Sequence, residues 1–157
     1  MAALESRTDP ELAIIGRTDA RAIHGLDDAI QRGKSFARLG VDAVFVEAPE
    51  SELELETIAR SISEVPLMVN MFKGGKTPLL PASRLEKMGF RIAIFPSETQ
   101  RAAIHSMREA LTLLKRDGST EAMDERLATF KERDRIVGLD EWQKLEQRYL
   151  KSIVEKK

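Results

Sequence analysis

The chain has no cysteine, one tryptophan and one tyrosine. Without cysteine there is no disulfide and no thiolate metal site. Two histidines are present, His24 and His105. They lie far apart, with no ligand-type neighbours at metal-binding spacing. A surface or hydrogen-bonded histidine is the plainer reading of each. A surplus of either charge is also missing: 25 Lys and Arg face 26 Asp and Glu, for a net charge of -1. A nucleic-acid-binding domain carries a basic excess, so no nucleic-acid partner is expected. No apolar run approaches the ~20 residues that cross a bilayer. Met1–Pro10 is polar and mixed in charge, unlike a signal peptide. No membrane partner is expected, and a cytoplasmic setting fits.

What remains is the composition of a folded chain: 157 residues, 42% hydrophobic and 32% charged, enough for one domain or part of a larger one. Four short apolar runs stand out: Leu12–Ile15, Ala43–Val46, Leu67–Val69 and Ile92–Phe95. Each has strand length and is bounded by Gly, Pro or a charge. None alternates cleanly with polar residues, which predicts parallel strands buried on both faces. Helical spacing fills the gaps. Leu26, Ala29, Ile30, Gly33 and Ala37 repeat between Gly25 and Gly40. Leu55, Ile58, Ala59 and Ile62 form a second set, and Ser83–Met88 a shorter third ended by Gly89. Ile104, Met107, Leu111 and Leu114 mark a fourth, closed by Gly118. Strand and helix thus alternate four times at about 25–30 residues per unit, the rhythm of βαβ units in an α/β fold.

Residues 1–118 hold these four units, and residues 119–157 form a helical extension. In the extension, Met123, Leu127 and Phe130 predict one helix. A second starts at Leu139, with Trp142, Leu145, Tyr149 and Ile153 on one face. A helix carrying the only Trp and Tyr wants a partner surface, in this chain or another. The charge run Lys131–Arg135 reads as a solvated helix face.

Polar groups gather where each predicted strand ends. The first runs into Arg17, Thr18 and Asp19, the second into Glu47, and the third into Asn70. The fourth runs into Pro96 and Ser97, with Arg101 about one helical turn on. Parallel α/β sheets bind ligands at this edge. The chemistry is anionic: Arg17 and Arg101 can each grip a carboxylate or phosphate at two points. Asn70 can donate to a developing enolate oxygen. Glu47 can accept from a substrate hydroxyl or from a metal-bound water. A surface ion pair is the plainer alternative for any one of these residues, but less so for four placed alike. Gly74–Pro78, GGKTP, lacks the spacing of a phosphate loop. It reads as a mobile loop beside the site, with Lys76 as an anion contact.

The segments IIGRTDA, GLDDAIQRGKSFARLGVDAVFVEAP, VPLMVNMFKGGKTPLL and LEKMGFRIAIFP resemble the isocitrate lyase/phosphoenolpyruvate mutase superfamily. The pattern is nearest to methylisocitrate lyase, carboxyvinyl-carboxyphosphonate phosphorylmutase and oxaloacetate-cleaving enzymes. The resemblance implies a (β/α)8 TIM barrel and Mg²⁺-dependent chemistry on small 2-oxy di- or tricarboxylates through an enolate. It also implies homo-oligomers that exchange a C-terminal helix. By position, Arg17 resembles the arginine on the substrate carboxylate, and Glu47 the glutamate near substrate and metal waters. Asn70 resembles a substrate-contacting asparagine, and Arg101 the arginine on a second carboxylate. Gly16 departs from the alanine usual before that first arginine.

A full barrel needs ~250 residues. The resemblance therefore places this chain as the C-terminal half: strands five to eight plus C-terminal helices. It implies that the Mg²⁺ ligands and the gating loop with its catalytic acid or base belong to the other half. Three readings stay open: a weakly active or inactive half of a carbon–carbon lyase, a non-catalytic remnant that binds dicarboxylates or oligomerises, and a longer enzyme with a mis-called start.

Overall fold

A computed structural model describes the backbone of residues 1–154 and the side chains of residues 1–150. The side-chain position expected for Ile153 lies outside the described residues. A single turn, α1 (Ala2–Glu5), precedes the sheet. The strands are β1 (Ile15–Thr18), β2 (Ala43–Val46), β3 (Leu67–Asn70) and β4 (Phe90–Ile94). They lie in the order β1-β2-β3-β4, and each neighbouring pair is parallel. Parallel neighbours need a crossover at every step, and helices supply it. The turn α2 (Arg21–His24) and α3 (Leu26–Leu39) follow β1. Then α4 (Glu52–Ser61) follows β2, α5 (Ala82–Met88) follows β3, and α6 (Glu98–Asp117) follows β4. The result is an α/β, partial TIM-barrel-like architecture.

Local chemistry sets the helix ends. The Ser51 hydroxyl accepts the Glu54 N–H at 3.1 Å and starts α4. Gly40 adopts φ 87°, donates to the Ala37 carbonyl and ends α3. Between these ends α3 buries Ala29, Ile30, Gly33 and Ala37, and α4 buries Leu55 and Ile58. They pack with Val44, Val46, Leu67, Val69, Met71 and Phe90 into one core. All of these sheet residues come from one side of the strands. Gly16 belongs to that side too. A Cβ there would lie 2.9 Å from Phe36 Cβ, Cγ and Cδ2. Phe36 of α3 thus rests on the strand backbone, which explains why alanine is absent at this position.

Sequence and structure differ at β4, expected at Ile92–Phe95 and observed at Phe90–Ile94, and in three further places. The first strand was expected at Leu12–Ile15 but runs Ile15–Thr18. The Leu12 N–H turns back to the Asp9 carbonyl at 3.2 Å. Asp42 then accepts the Ile14 N–H at 2.7 Å and Arg7 Nη1 at 2.8 Å, fixing where pairing begins. Arg17 therefore lies inside the strand rather than beyond it. Second, burial on both faces holds for β2 alone; β1 and β4 have exposed members. They are the edges of the sheet. Third, Met123 and Phe130 do not share a helix. Met123 lies in a 3-10 helix (Glu121–Arg126) with φ -124°, and Thr129 caps a separate α7 (Phe130–Ile136).

Two compact units result, Met1–Ala102 and Ala103–Lys157. The first contains the sheet and the core just described. The second contains the rest of α6, the 3-10 helix, α7 and α8 (Leu139–Val154). In it Met123 is buried, while Met107, Leu111, Phe130, Ile136 and Trp142 are exposed. Among the described residues no helix is long and apolar enough to cross a membrane.

Candidate carboxylate site at the strand ends

The face of the sheet away from the core carries the candidate site. Register aligns Arg17 with Phe45, Phe45 with Met68 and Met68 with Ile92. Aligned neighbours point to the same side, and side chains alternate along each strand. Ile15, Arg17, Phe45, Met68, Asn70, Ile92 and Ile94 therefore share this face. No helix-side residue of the core cluster lies on it.

Arg17 stands on the edge strand β1 and leans over β2. Its guanidinium lies 5.1 Å from the Phe45 ring centroid, a cation–π arrangement. Nε donates to Asp19 Oδ1 at 2.7 Å, and Nη2 donates to Asp19 Oδ2 at 3.0 Å. Nη2 also lies 3.3 Å from Glu47 Oε2, an ion pair without hydrogen-bond alignment. The fork on Asp19 holds the Asp19 carboxyl below the usual carboxylate range. It also raises Arg17 above the ordinary guanidinium value, helped by Glu47. A planar two-point grip on a carboxylate is thus already formed, with Asp19 in it.

Glu47 follows β2 on a strained stretch of backbone. Ala48 has φ 56°, the only positive φ at a non-glycine residue among those described. Such a conformation costs about 1–3 kcal/mol and persists where its surroundings enforce it. The next residue, Pro49, is fully buried and locks the turn. Glu47 is thereby aimed at the site face.

Three buried side-chain oxygens have no hydrogen-bond partner among the described residues: Glu47 Oε2, Asn70 Oδ1 and Ser97 Oγ. They come from the ends of β2 and β3 and from the turn after β4. An unpartnered buried polar atom costs about 1–3 kcal/mol. Such atoms are uncommon and ask for an explanation. All three lie at the same edge of one sheet.

The other expected residues are placed less directly. Arg101 sits in the first turn of α6, and its Nη1 donates to the Lys73 carbonyl at 2.9 Å. Among the described residues, no hydrogen bond or ion pair joins it to Arg17, Glu47 or Asn70. Lys76 pairs with Glu50 at 3.2 Å, which ties the GGKTP loop to the segment after β2. Glu50 also meets Arg21 at 3.0 Å, and Arg21 forks onto Glu54 at 2.8 and 2.7 Å. This network links the segments after β1, β2 and β3. Sequence reading missed it because Arg21 and Glu54 lie 33 positions apart. Ser97 was visible as a polar strand end, but nothing in the sequence marked its hydroxyl as partnerless. Among the described residues no three His, Asp or Glu side chains converge to hold a metal ion. The described residues do not by themselves fit Mg²⁺.

The phosphoenolpyruvate phosphomutase family model matches residues 1–115. The chain is 36% identical over 148 residues to 2,3-dimethylmalate lyase of Eubacterium barkeri. That alignment covers 94% of this chain and 51% of the relative. A crystal structure of 2,3-dimethylmalate lyase, described as a PEP mutase/isocitrate lyase superfamily member, superposes with TM-score 0.77 at 34% identity. It covers 87% of this chain and 48% of that one. A phosphonopyruvate hydrolase complexed with oxalate and Mg²⁺ superposes with TM-score 0.78 at 25% identity, covering 95% of this chain and 53% of that one. The chain therefore spans about half the length of the relatives it matches.

Proposed function

The chain belongs to the phosphoenolpyruvate phosphomutase family, and from that premise we propose that its strand ends form the carboxylate-holding side of a carbon–carbon lyase site. The substrates are small 2-oxy di- or tricarboxylates. The observation that carries this reading is the set of buried oxygens without a hydrogen-bond partner, on Glu47, Asn70 and Ser97, at the strand ends of the sheet that also carries the Arg17 fork. Arg17 takes a substrate carboxylate at two points in place of Asp19. Glu47 accepts from the substrate hydroxyl. The Asn70 amide fixes the oxygen on the carbon where charge develops, and so positions substrate before any bond breaks. Arg101 and its helix turn face the far end of the substrate. In the relatives' type of site Mg²⁺ would supply charge stabilisation to the reacting oxygens, from ligands that the described residues of this chain do not bring together; here the acid-binding side is what the chain contributes. Residues 1–118 carry this side, and residues 119–157 serve assembly into a homo-oligomer.

A second reading is a non-catalytic module that binds dicarboxylates and oligomerises. It is favoured by the exposed apolar residues Phe130, Ile136 and Trp142 of the second unit. Two measurements separate the readings. Calorimetric titration of the chain with malate gives binding under both, and Arg17→Ala weakens it about 10–100-fold, the loss of a charged two-point hydrogen bond. Unchanged malate affinity in Arg17→Ala would overturn both. Mg²⁺-dependent cleavage of 2,3-dimethylmalate above background, abolished by Arg17→Ala, selects the lyase; binding without cleavage selects the module.

A further inference from the structure

Both edges of the sheet are open. β1 and β4 each have a strand neighbour on one side only, so each leaves a row of backbone donors and acceptors on the other. Neither strand contains the proline that often blunts such an edge. Apolar side chains gather at both. Leu12 and Ile15 beside β1 are 57% and 44% exposed, and Phe95, just past β4, is 49% exposed. A groove of about 410 Å³ lies between α5 and β4, lined by Leu85, Phe90, Arg91, Ile92 and Ala93 among others.

The two edges carry opposite charge. Glu5, Asp9 and Glu11 lead into β1 and are exposed. Arg7, the cation among them, is taken by Asp42. Lys87 and Arg91 stand at the start of β4 and are exposed, offset only by Glu86. Arg91 is skipped by the strand ladder, since Leu67 aligns with Phe90 and Met68 with Ile92. Among the described residues, the side chains of Glu5, Glu11, Lys87 and Arg91 have no hydrogen bond or ion pair. All strands run parallel, so both charged sets lie at the end of the sheet where the strands begin.

We propose that a second copy of this chain closes the sheet into a ring, with β4 of each protomer pairing with β1 of the other. A closed parallel barrel takes eight strands, and two copies supply that number. A twofold axis along the ring keeps every strand parallel, and it uses up both edges of both copies. The same axis brings Lys87 and Arg91 of one copy to the Glu5–Glu11 segment of the other. It also sets the partly buried Met68, Ile92 and Ile94 of one copy opposite an apolar layer of the same kind, as a barrel interior requires. A second copy is thus the occupant that matches these edges in strand direction, in number and in charge. The proposal does not depend on the carboxylate reading of the strand ends.

The chain has no cysteine, so introduced cysteines report on the edges alone. Two double variants of the full chain are compared: Ile15→Cys with Ile92→Cys, and Ile15→Cys with Ile94→Cys. Within one chain these positions lie three strand spacings apart, ~14 Å, beyond the ~7 Å Cα separation that a disulfide spans. In the ring they belong to adjacent strands of different protomers. Mild oxidation is expected to give a covalent dimer with at least one pair, and none with any single-cysteine variant. A ladder of trimers and longer species would overturn closure by showing edges that pair without end. Monomers alone, from variants that keep a cooperative melt, would overturn the edge contact, even if residues 119–157 hold a dimer together in solution. Sedimentation velocity of the unmodified chain is expected to show the dimer, and a monomer at every soluble concentration would overturn the proposal outright. Arg91→Glu is expected to raise the dimer dissociation constant about tenfold, and adding Glu11→Lys to recover most of the loss. An unchanged constant in Arg91→Glu would overturn the charge match that selects a second copy.

Discussion

The two faces of this sheet are built to opposite specifications. The helix side is apolar, closed and fully partnered: Val44, Val69, Leu55 and Ile58 are at most 1% exposed. The opposite side holds a guanidinium, a carboxylate and an amide, with buried oxygens left without hydrogen-bond partners. The apolar residues around them, Met68, Ile92 and Ile94, are only partly buried. Folding free energy is gained on the first side, where each buried methylene contributes about 0.8 kcal/mol. On the second, three oxygens are buried without a hydrogen-bond partner, while the paired Arg17 and Asp19 stay about half exposed. A single set of strands, alternating in side-chain direction, serves both needs because its period of two sends neighbours to opposite faces.

The sharpest way to break this comparison is to exchange the consequences of mutation. Ile58→Ala empties a site that is 1% exposed in the core and should cost about 2–5 kcal/mol in denaturant unfolding. Its effect on malate affinity should be negligible while the protein stays folded. If affinity falls along with stability, the two faces are coupled and the separation is wrong. Gly16→Ala probes the boundary more gently. The added methyl meets Phe36 at 2.9 Å, and overpacking of this kind costs about 1–3 kcal/mol. Arg17 is the next residue on the strand, so a backbone shift there should also loosen its grip on Asp19. A paired Phe36→Leu change, which clears the space, should recover stability if the clash is the cause.

The helix side was legible in the sequence almost residue by residue. Its signal is repetition: Leu55, Ile58 and Ile62 recur at helical spacing and are all buried, and Gly40 closes a helix where it was expected. The four strands were visible as apolar runs, because a parallel sheet under helices needs them. The start of β1 was not visible. It is set by a carboxylate, Asp42, that accepts from a residue 28 positions away. The candidate site was half legible. Arg17, Glu47 and Asn70 could be placed at one edge from strand order alone. That Arg17 is already engaged by Asp19, that Ala48 is forced to positive φ, and that the Ser97 hydroxyl has no hydrogen-bond partner are properties of three-dimensional arrangement. No periodicity announces them. The apolar stripe of α6 was read correctly as helical, but Met107 and Leu111 are exposed. Periodicity shows that a helix has an apolar face, not what covers it.

The smallest expected effect concerns the rim network, where the loops of the site face meet the helix ends of the core. Glu54 is held below the usual carboxylate range, first by the Arg21 fork and then by the Glu50 N–H. A carboxyl whose folded value is depressed stabilises the fold above its unfolded value, about 4.3 for glutamate. That contribution disappears as pH falls through the folded value. Thermal melts of the unmodified chain and of Glu54→Gln should therefore differ most near neutral pH, with the unmodified chain more stable. The difference should narrow steadily below about pH 4, as the wild-type carboxyl takes up its proton and comes to resemble the glutamine. A gap that persisted unchanged into acid would mean that Glu54 holds Arg21 and the Glu50 backbone by shape and hydrogen bonding rather than by charge. The rim would then belong, energetically, to the closed side of the sheet and not to the side that waits for an anion.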